Sequence, residues 1–586
     1  MPAAVWDLII LVLLATGKGM FMASNRITRH FASIADGRWG ARQVHYRQVG
    51  TGPAVLCLHQ SPLSSRDMLA TMERWKGKFT CIAPDTPGYG LSDPLGVSHA
   101  EMSDIADAVI EFMDAIDLEK AAVYGFHTGA MISVAVALKY PERITCCTAN
   151  GYVVQTEQER ADFIANYLPA FVPQWDGSHL TWLWSRMREQ TVFFPWYRKS
   201  LAARMHMDMP APETLHAGLL DFLRAGDAYR VGYRAAFTMQ SAQAVAALKV
   251  PALITATDTD PLARDLVRLT KRPANVSVQP GGDGNATLDL CAAFIAKHKT
   301  PKPRLPEQTA PLADQLWSDY VEIPGGQLRA RRSLSGSGRP IVVQHDAASS
   351  VDIIEPLARG FVGLRPVIAL DLPGHGESTA QLPNGKITVN TYAKAVLAAL
   401  KTLGVDEFDF IGTWGGGLVG LELATLVPKR LKRLVMADAM YHSPELLKEL
   451  KTHYTPDIQP NWHGGYLLEA WHLMRDQGLF WPWFKRQKAH IIRKPPYLDP
   501  AMINKRVLDL FRSQGNWRRA YQAHFDYPIR AKLKQNRVPT LVVSPSWDPQ
   551  FEDGERLSRD FPGIPFRKVS DDFASWGTEL LPFLNS

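Results

Sequence analysis

Short apolar runs alternate with longer helix-like stretches along most of this chain. In the first half, residues 54–58 and 121–124 are apolar and strand-like, and each is followed by a turn and then a helical pattern. Similar runs return at residues 143–148 and 252–256. Because strands that alternate with helices build βαβ units, this pattern predicts a mainly parallel sheet covered by helices on both faces.

The second half repeats the plan of the first. Sliding the chain against itself by about 287 residues places His59 on His345, and the segment DTPGYG at 85–90 on DLPGHG at 371–376. Tryptophan-rich segments of the two halves also match each other. Agreement over such a length predicts a duplicated domain.

A proline-rich stretch and two helical insertions divide the chain further. Residues 300–313 contain four prolines, which is typical of an interdomain linker. In each half a helix-like region rich in Trp, Phe and Tyr interrupts the strand pattern. We predict an N-terminal segment at 1–39, a first domain at 40–299 with an insertion at about 152–246, a linker at 300–321, and a second domain at 322–586 with an insertion at about 440–535.

The first residues form an apolar stretch that is not a typical membrane span. Residues 3–15 are apolar apart from Asp7. This stretch is too short to span a membrane readily, and no Lys or Arg precedes it. An upstream-extended reading frame that truly starts at Met20 or Met22 explains this best, with a membrane anchor or an atypical signal as alternatives. We therefore expect a cytoplasmic protein, with membrane association or export only through residues 1–20.

Composition agrees with a folded protein of more than one domain. The 586 residues are 46% hydrophobic and 21% charged, and the chain is too long for one ordinary core. The formal net charge is +7, but the basic residues are mostly scattered, so no nucleic-acid partner is expected. The five cysteines show no metal-binding spacing, which favours a reducing compartment. We expect a small-molecule substrate or ligand, no metal and no cofactor; the oligomeric state stays open.

Two turns with matching glycine spacing carry the chemical information. Residues 125–129 read GFHTG and residues 412–416 read GTWGG. Both have the spacing of the G-x-S-x-G nucleophile elbow, a strained turn between a strand and a helix. His127 and Trp414 stand where a Ser, Cys or Asp nucleophile is usual, so the chemistry stays open.

Together with the elbow, three further motifs resemble the α/β-hydrolase superfamily. They are HQSP at 59–62, DTPGYGLS at 85–92, and Val250-Pro251 before a strand. The resemblance is to members with a helical cap after the sixth strand, and it covers about 40–298 and 322–586. It implies α/β architecture, with two tandem α/β-hydrolase-fold domains that each have a mostly parallel sheet, flanking helices and a helical cap. The HQSP motif with a His-Thr-Gly elbow is similar to a little-characterised bacterial branch.

The resemblance also implies where an acid and a histidine should stand. The acid follows the seventh strand, and Asp260 and Asp548 occupy that position in the two halves. Asp258 is a neighbour of Asp260, and Asp438, after the sixth strand, is a second possibility in the second half. The usual late-loop histidine is absent from both halves. An ordinary serine-hydrolase cycle therefore has no general base.

The first half nevertheless keeps a polar site. The elbow places His127 at a helix N-terminus, whose dipole favours a neutral imidazole that can act as a general base. The hypothesis is that Asp260 orients His127 and that the Ser61 and Thr128 amides polarise a carbonyl. Gln60 and His59 are expected beside them, with His59 mainly shaping the loop.

These residues favour a cofactor-free enzyme that acts in its first domain on a small carbonyl or ester-like compound. Hydrolysis, C–C cleavage or a lyase step would each use a polarised carbonyl. The second domain is expected to be degenerate, with Trp414 and Asp548 as inactive equivalents of His127 and Asp260. Two alternatives are a non-catalytic receptor or scaffold, in which His127 only lines a binding pocket, and an interaction protein in which the second half holds the first in an assembly.

Overall fold

The computed structural model describes residues 25–493 and 498–586. The apolar stretch at 3–15 and the alternative start sites lie outside these residues. Within the described part of the chain, no helix has both the length and the apolar character needed to cross a membrane.

The first half forms an eight-stranded sheet. Strands β1, β2 and β4 pair antiparallel in that order, and the remaining strands pair parallel in the order β4-β3-β5-β6-β7-β8. The strands are β1 (Thr28–Ile34), β2 (Arg42–Val49), β3 (Ala54–Leu58), β4 (Thr80–Pro84), β5 (Ala121–Phe126), β6 (Ile144–Asn150), β7 (Ala252–Thr255) and β8 (Val276–Val278).

Nine α-helices in the described part of the first half, residues 25–299, connect and cover these strands. Five of them lie between β6 and β7, within the insertion predicted at about 152–246. The helices are α1 (Leu69–Trp75), α2 (Met102–Ala115), α3 (Thr128–Lys139), α4 (Glu157–Asn166), α5 (Ser178–Glu189), α6 (Pro212–Ala225), α7 (Tyr229–Thr238), α8 (Ser241–Ala246) and α9 (Gly284–Ala296).

The second half forms a sheet of the same topology. Its order, β9-β10-β12-β11-β13-β14-β15-β16, repeats that of the first sheet. The strands are β9 (Trp317–Ile323), β10 (Gly326–Ser333), β11 (Ile341–Gln344), β12 (Val367–Leu370), β13 (Phe408–Thr413), β14 (Leu431–Ala437), β15 (Thr540–Pro545) and β16 (Phe566–Val569).

The described helices of the second half follow the same plan, with five between β14 and β15. They are α10 (Glu355–Arg359), α11 (Val389–Thr402), α12 (Gly415–Leu426), α13 (Pro444–His453), α14 (Gly465–Asp476), α15 (Pro500–Arg512), α16 (Asn516–Phe525), α17 (Ile529–Gln535), α18 (Phe551–Asp560) and α19 (Trp576–Asn585). The predicted pair of α/β domains is thereby confirmed.

Both predicted starts of the domains are too late. Strand β1 lies inside the segment predicted at 1–39, and β9 begins inside the linker predicted at 300–321. Each of these strands pairs antiparallel with its successor, so it belongs to the sheet. Edge strands with one polar face carry little of the continuous apolar signal that marks the central parallel strands, such as β3, which is buried at every residue.

The two sheets meet at their antiparallel edges through reciprocal contacts. The side-chain amide of Gln327 accepts from Arg29 N at 2.9 Å and donates to Arg29 O at 3.0 Å. The amide of Gln43 does the same to Ser318, at 2.6 and 3.0 Å. Gln43 and Gln327 occupy equivalent positions on β2 and β10, so the halves are related by an approximate two-fold symmetry.

The helical insertions contact each other with the same symmetry. The indole of Trp184 donates to Trp462 O at 3.2 Å, and the indole of Trp471 donates to Trp175 O at 3.3 Å. Trp184 and Trp471 are both buried, so the duplicated tryptophans are structural residues of this contact.

Candidate active site

The first elbow is a strained turn that only small neighbours permit. His127 precedes α3 with φ 50° and ψ −110°, a conformation rare for a residue with a side chain. A Cβ atom at Gly125 would lie 2.0 Å from Gly129 O, and one at Gly129 would lie 2.0 Å from Leu58 O. The two glycines are therefore required because the start of α3 packs directly against β5 and β3.

The structure brings His127 and Asp260 together. Imidazole Nε2 lies 2.7 Å from Asp260 Oδ2, and the Leu262 N–H donates to Asp260 Oδ1 at 2.9 Å. His127 follows β5 and Asp260 follows β7, whose carboxyl ends flank that of β6 in the parallel sheet. The acid that would normally hold a late-loop histidine thus holds the histidine of the elbow.

Gly151 makes room for this pair and was not predicted. It follows β6 with φ 67°, and a Cβ there would lie 2.3 Å from His127 Cδ2 and 2.8 Å from Asp260 Oδ2. Phe126 stacks on the imidazole with ring centroids 4.1 Å apart. The ring is fixed on one edge and one face, while the side chain keeps 30% exposure.

The charge of the pair differs from the expectation of a neutral imidazole. Burial disfavours the protonated ring, but the Asp260 carboxylate outweighs it and the pKa of His127 is raised above its ordinary value, with Asp67 adding to the shift. Burial likewise opposes the charge of Asp260, yet its pKa is lowered because His127 favours the carboxylate. The helix dipole is the weaker influence here, since a carboxylate in direct contact exceeds partial charges.

Asp67 is a second feature that sequence reasoning missed. Its Oδ1 accepts from Gln60 Nε2 at 3.4 Å, its Oδ2 is buried with no hydrogen-bond partner among the described residues, and burial raises its pKa. Gln60 therefore leans towards Asp67. The only signal in the sequence is a lone acid eight residues after His59, within a polar loop.

The amide donors predicted for a carbonyl oxygen lie next to the elbow. Thr128 is the first residue of α3, and its N–H donates to no protein acceptor in the part of the chain that the structure describes. Ser61 follows β3, which is the parallel neighbour of β5. Both amides stand at the carboxyl edge of the sheet, and their role towards a carbonyl oxygen stays a prediction.

His59 braces the loop and does not face a substrate. Its Nδ1 lies 2.9 Å from Gln60 O, and the Thr86 N–H donates to Nε2 at 3.0 Å. The side chain is buried. Both ring nitrogens are engaged within the protein, so His59 is removed from the set of substrate-binding candidates.

The second elbow has nearly the same backbone conformation as the first, but different side chains surround it. Trp414 precedes α12 with φ 46° and ψ −115°, and its indole packs, partly buried, against the core of the second half. The Gly415 N–H, which corresponds to that of Thr128, donates to Asp346 Oδ1 at 3.0 Å. Tyr521 donates to Asp346 Oδ2 at 2.8 Å, and burial raises the pKa of Asp346 to about 6.

A histidine from the second insertion also reaches this elbow. His524 Nδ1 lies 3.5 Å from Asp346 Oδ1, and a Cβ at Gly415 would be 2.1 Å from His524 Cε1. Burial lowers the pKa of His524 to about 3. Its place on α16, far from the late loop in sequence, concealed this contact.

Asp548 and Asp438 lie near the second elbow in other roles. Asp548 Oδ1 accepts from the Gln550 N–H at 2.8 Å, which repeats the arrangement at Asp260. Asp438 replaces Gly151 in the repeat, and its Oδ1 accepts from Ser544 Oγ at 2.6 Å. A side chain therefore occupies the position that is kept open beside His127.

Two cavities of the described residues lie away from His127. No three His, Cys, Asp or Glu residues of segments 25–493 and 498–586 are arranged to hold a metal ion. One cavity of about 350 Å³ lies between the halves near Arg224 and Arg331, and another of about 360 Å³ lies beside the turn at Gly88.

Comparison with known proteins defines the class. The family model described as alpha/beta hydrolase fold matches residues 53–278 and 340–462. These segments make up more than half of the chain, and they fall in both halves. The protein belongs to the α/β-hydrolase fold family, as a tandem duplication of its domain.

Several curated relatives are hydrolases that match part of the chain. 2-(Acetamidomethylene)succinate hydrolase of Mesorhizobium japonicum is 31% identical over 145 residues, which are 24% of this chain and 51% of that protein. Haloalkane dehalogenase 2 of Mycobacterium bovis is 34% identical over 106 residues, 17% of this chain and 36% of that one. The chain spans about half or less of these relatives' length.

Solved structures with similarity to this chain include an enol-lactonase. That protein, from Burkholderia xenovorans, is 21% identical with a TM-score of 0.36, and the match covers 46% of this chain and 100% of that one. The E-2-(acetamidomethylene)succinate hydrolase structure is 22% identical with a TM-score of 0.35 and the same coverage.

Proposed function

We propose that the first domain is a cofactor-free enzyme that acts on a small carbonyl or ester-like compound. The observation that carries this proposal is the 2.7 Å contact of His127 Nε2 with Asp260 at the elbow. An imidazole oriented by a carboxylate is the basic half of a catalytic triad, placed here where the nucleophile usually stands. The hydrolase names of several relatives support the same class.

The contact between His127 and Asp260 gives each nitrogen of the imidazole a distinct role. Asp260 keeps the proton on Nε2, so Nδ1 carries the lone pair and can remove a proton from water or from carbon next to a carbonyl. The Thr128 and Ser61 amides are placed to stabilise the oxyanion that forms. Hydrolysis, C–C cleavage and a lyase step all use these two elements.

The second domain is proposed to be non-catalytic. Asp346 places a carboxylate on the Gly415 amide, the position where a substrate oxyanion would be stabilised. A negative oxygen there repels a second one, and the Trp414 indole N–H can donate a hydrogen bond but cannot accept a proton. Its supported role is to hold the first domain through the reciprocal contacts of the sheets and insertions.

The test is a panel of carbonyl compounds with a conservative elbow variant. The full chain is assayed with aryl esters, lactones, enol lactones and β-diketones. His127→Asn is the suitable variant because Asn tolerates a positive φ, and it should lower turnover by about 10³-fold without unfolding the protein. Trp414→Phe is the matched control at the second elbow and should leave turnover unchanged.

The receptor alternative makes the opposite prediction. Compounds of the panel would then raise the unfolding temperature without being consumed, and His127→Asn would weaken binding only. That outcome would remove the enzymatic proposal and leave a binding protein.

A further inference from the structure

We infer that His127 Nδ1 is itself the nucleophile towards ester-like substrates and forms an acyl-imidazole intermediate. The inference rests on the proposed function and refines it. The lone pair that would otherwise take a proton from water forms a bond with the acyl carbon instead. The product of the first step is then a covalently modified His127.

The orientation of the ring selects Nδ1 for this role. The edge formed by Nε2 and Cδ2 faces Asp260 and Gly151, and Phe126 covers one face. Nδ1 lies on the other edge of the ring, and the side chain is 30% exposed. It is therefore the ring nitrogen that can approach a substrate.

Covalent reach places Nδ1 where an elbow nucleophile belongs. It is three bonds from Cα, as far as a carboxylate oxygen of Asp and one bond further than a Ser hydroxyl. The adjacent Thr128 N–H belongs to the residue after the nucleophile, which is the donor that stabilises the tetrahedral oxyanion in such elbows. An interposed water would move the acyl carbon about 3 Å further from Nδ1 and away from that amide.

The charges around the ring support both steps. Nδ1 attacks the carbonyl carbon, the π electrons move to oxygen, and the oxyanion rests on the amides of Thr128 and Ser61. Collapse expels the alcohol oxygen, which takes a proton from water, and leaves a cationic acyl-imidazole that still carries the Nε2 proton. Asp260, whose pKa is lowered by His127, faces this cation. The hydroxide left when the alkoxide took that proton then attacks the acyl carbon, which releases the acid and restores neutral His127 with its Nε2 proton.

The second half lacks each requirement for the same step. Trp414 has no basic nitrogen, and Asp346 already accepts from the Gly415 amide. Trp414→Phe therefore serves as a control that alters an elbow without altering a nucleophile.

The experiment uses p-nitrophenyl acetate with the full chain. Rapid mixing should show a burst of p-nitrophenol approaching one equivalent per chain. Acid quenching followed by peptide mass mapping should place one acetyl group on His127. The burst and the adduct should persist in Trp414→Phe and disappear in His127→Asn. Mapping on the unsubstituted protein needs no variant, so a folding defect in His127→Asn does not affect it.

The outcomes separate this inference from the function on which it rests. Turnover that depends on His127 without a burst or an adduct, and that slows in deuterated water, would overturn the nucleophilic role and leave His127 as a general base. An acetyl group on a serine would also overturn it. Absence of any turnover that depends on His127 across the carbonyl panel would remove both.

Discussion

The two elbows of this protein have nearly the same backbone conformation, but different side chains stand at and beside each turn. The φ values are 50° and 46°, and the ψ values are −110° and −115°. In the first, an imidazole at the turn is held by an acid from the β7 loop. In the second, an indole stands at the turn, and a carboxylate accepts a hydrogen bond from the backbone amide beside it. Glycine packing maintains the turn whether or not chemistry remains there.

Three positions of the repeat account for the difference. Gly151 corresponds to Asp438, Gln60 to Asp346, and Thr128 to Gly415. The first substitution removes the space beside the elbow, and the second places a carboxylate next to the amide. The third gives His524 room to enter, since a Cβ at Gly415 would lie 2.1 Å from it. Each predicted experiment exchanges or disturbs one feature of this comparison.

The largest effect is expected for Gly151→Asp, which copies the second domain into the first. The new Cβ would overlap His127 Cδ2, so the contact with Asp260 should be lost. Aspartate tolerates the positive φ, as Asp438 shows at 55°, so the fold should survive. Turnover should fall by about 10³-fold or more. Asp438→Gly is the control, and equal losses in both variants would refute the assignment of the site to the first domain.

The next largest effect is expected for Asp260→Asn, on turnover and on the pH dependence of kcat/KM. His127 must lose its second proton to act, and its pKa is raised, so kcat/KM should increase with pH through a value above 6.5. Asp260→Asn removes the raising charge, so the inflection should move to lower pH while turnover falls about 10²–10³-fold. Asp548→Asn should change neither quantity. An unmoved inflection would contradict the coupling of the pair.

A smaller effect, on stability, is expected for Gly415→Ala. The added methyl would meet His524 at 2.1 Å and Asp346 at 2.5 Å, so the second domain must rearrange. We expect the free energy of unfolding in urea to fall by about 2 kcal/mol. Gly417→Ala is the control, because its nearest neighbour would be Gly412 O at 3.3 Å. Equal stability of the two variants would show that His524 does not occupy this space.

The smallest effect is expected for Asp346→Asn. Burial raises the pKa of Asp346 to about 6 from 3.8, so the folded state binds this proton more tightly than the unfolded chain. Stability should therefore fall as pH rises from about 4 to 6. Asparagine removes this loss, so unfolding at pH 8 should require about 1–2 kcal/mol more, with little change at pH 4. A variant that is destabilised at both values would contradict the argument.

Much of the fold could be predicted because its signals are local. Apolar runs mark the central strands, and the repeat marks the duplication. The glycine spacing marks both elbows, and Asp260 was found from its position after β7. The domain starts were placed too late because β1 and β9 are edge strands whose membership depends on their pairing partners.

The missed features are contacts between distant positions. Asp67, Gly151 and Asp346 are ordinary loop residues in sequence, and only their neighbours across the sheet edge give them meaning. His524 lies within the second insertion, far from Gly415 in sequence, yet its ring contacts the elbow at Gly415. The sequence predicts a neutral His127 from the helix dipole, but the contact with Asp260 raises the pKa of His127, and a sequence contains no distances.

Sequence alone determined that this chain is a duplicated α/β protein with an imidazole at one sharp turn and an indole at the other, since periodicity and glycine spacing are properties of neighbouring residues. The tertiary structure alone decided what those rings contact. Parallel strands bring their carboxyl ends to one edge, so an acid 133 residues away holds His127. The same convergence fills the second elbow with Asp346 and His524, because side-chain volume and charge act through space.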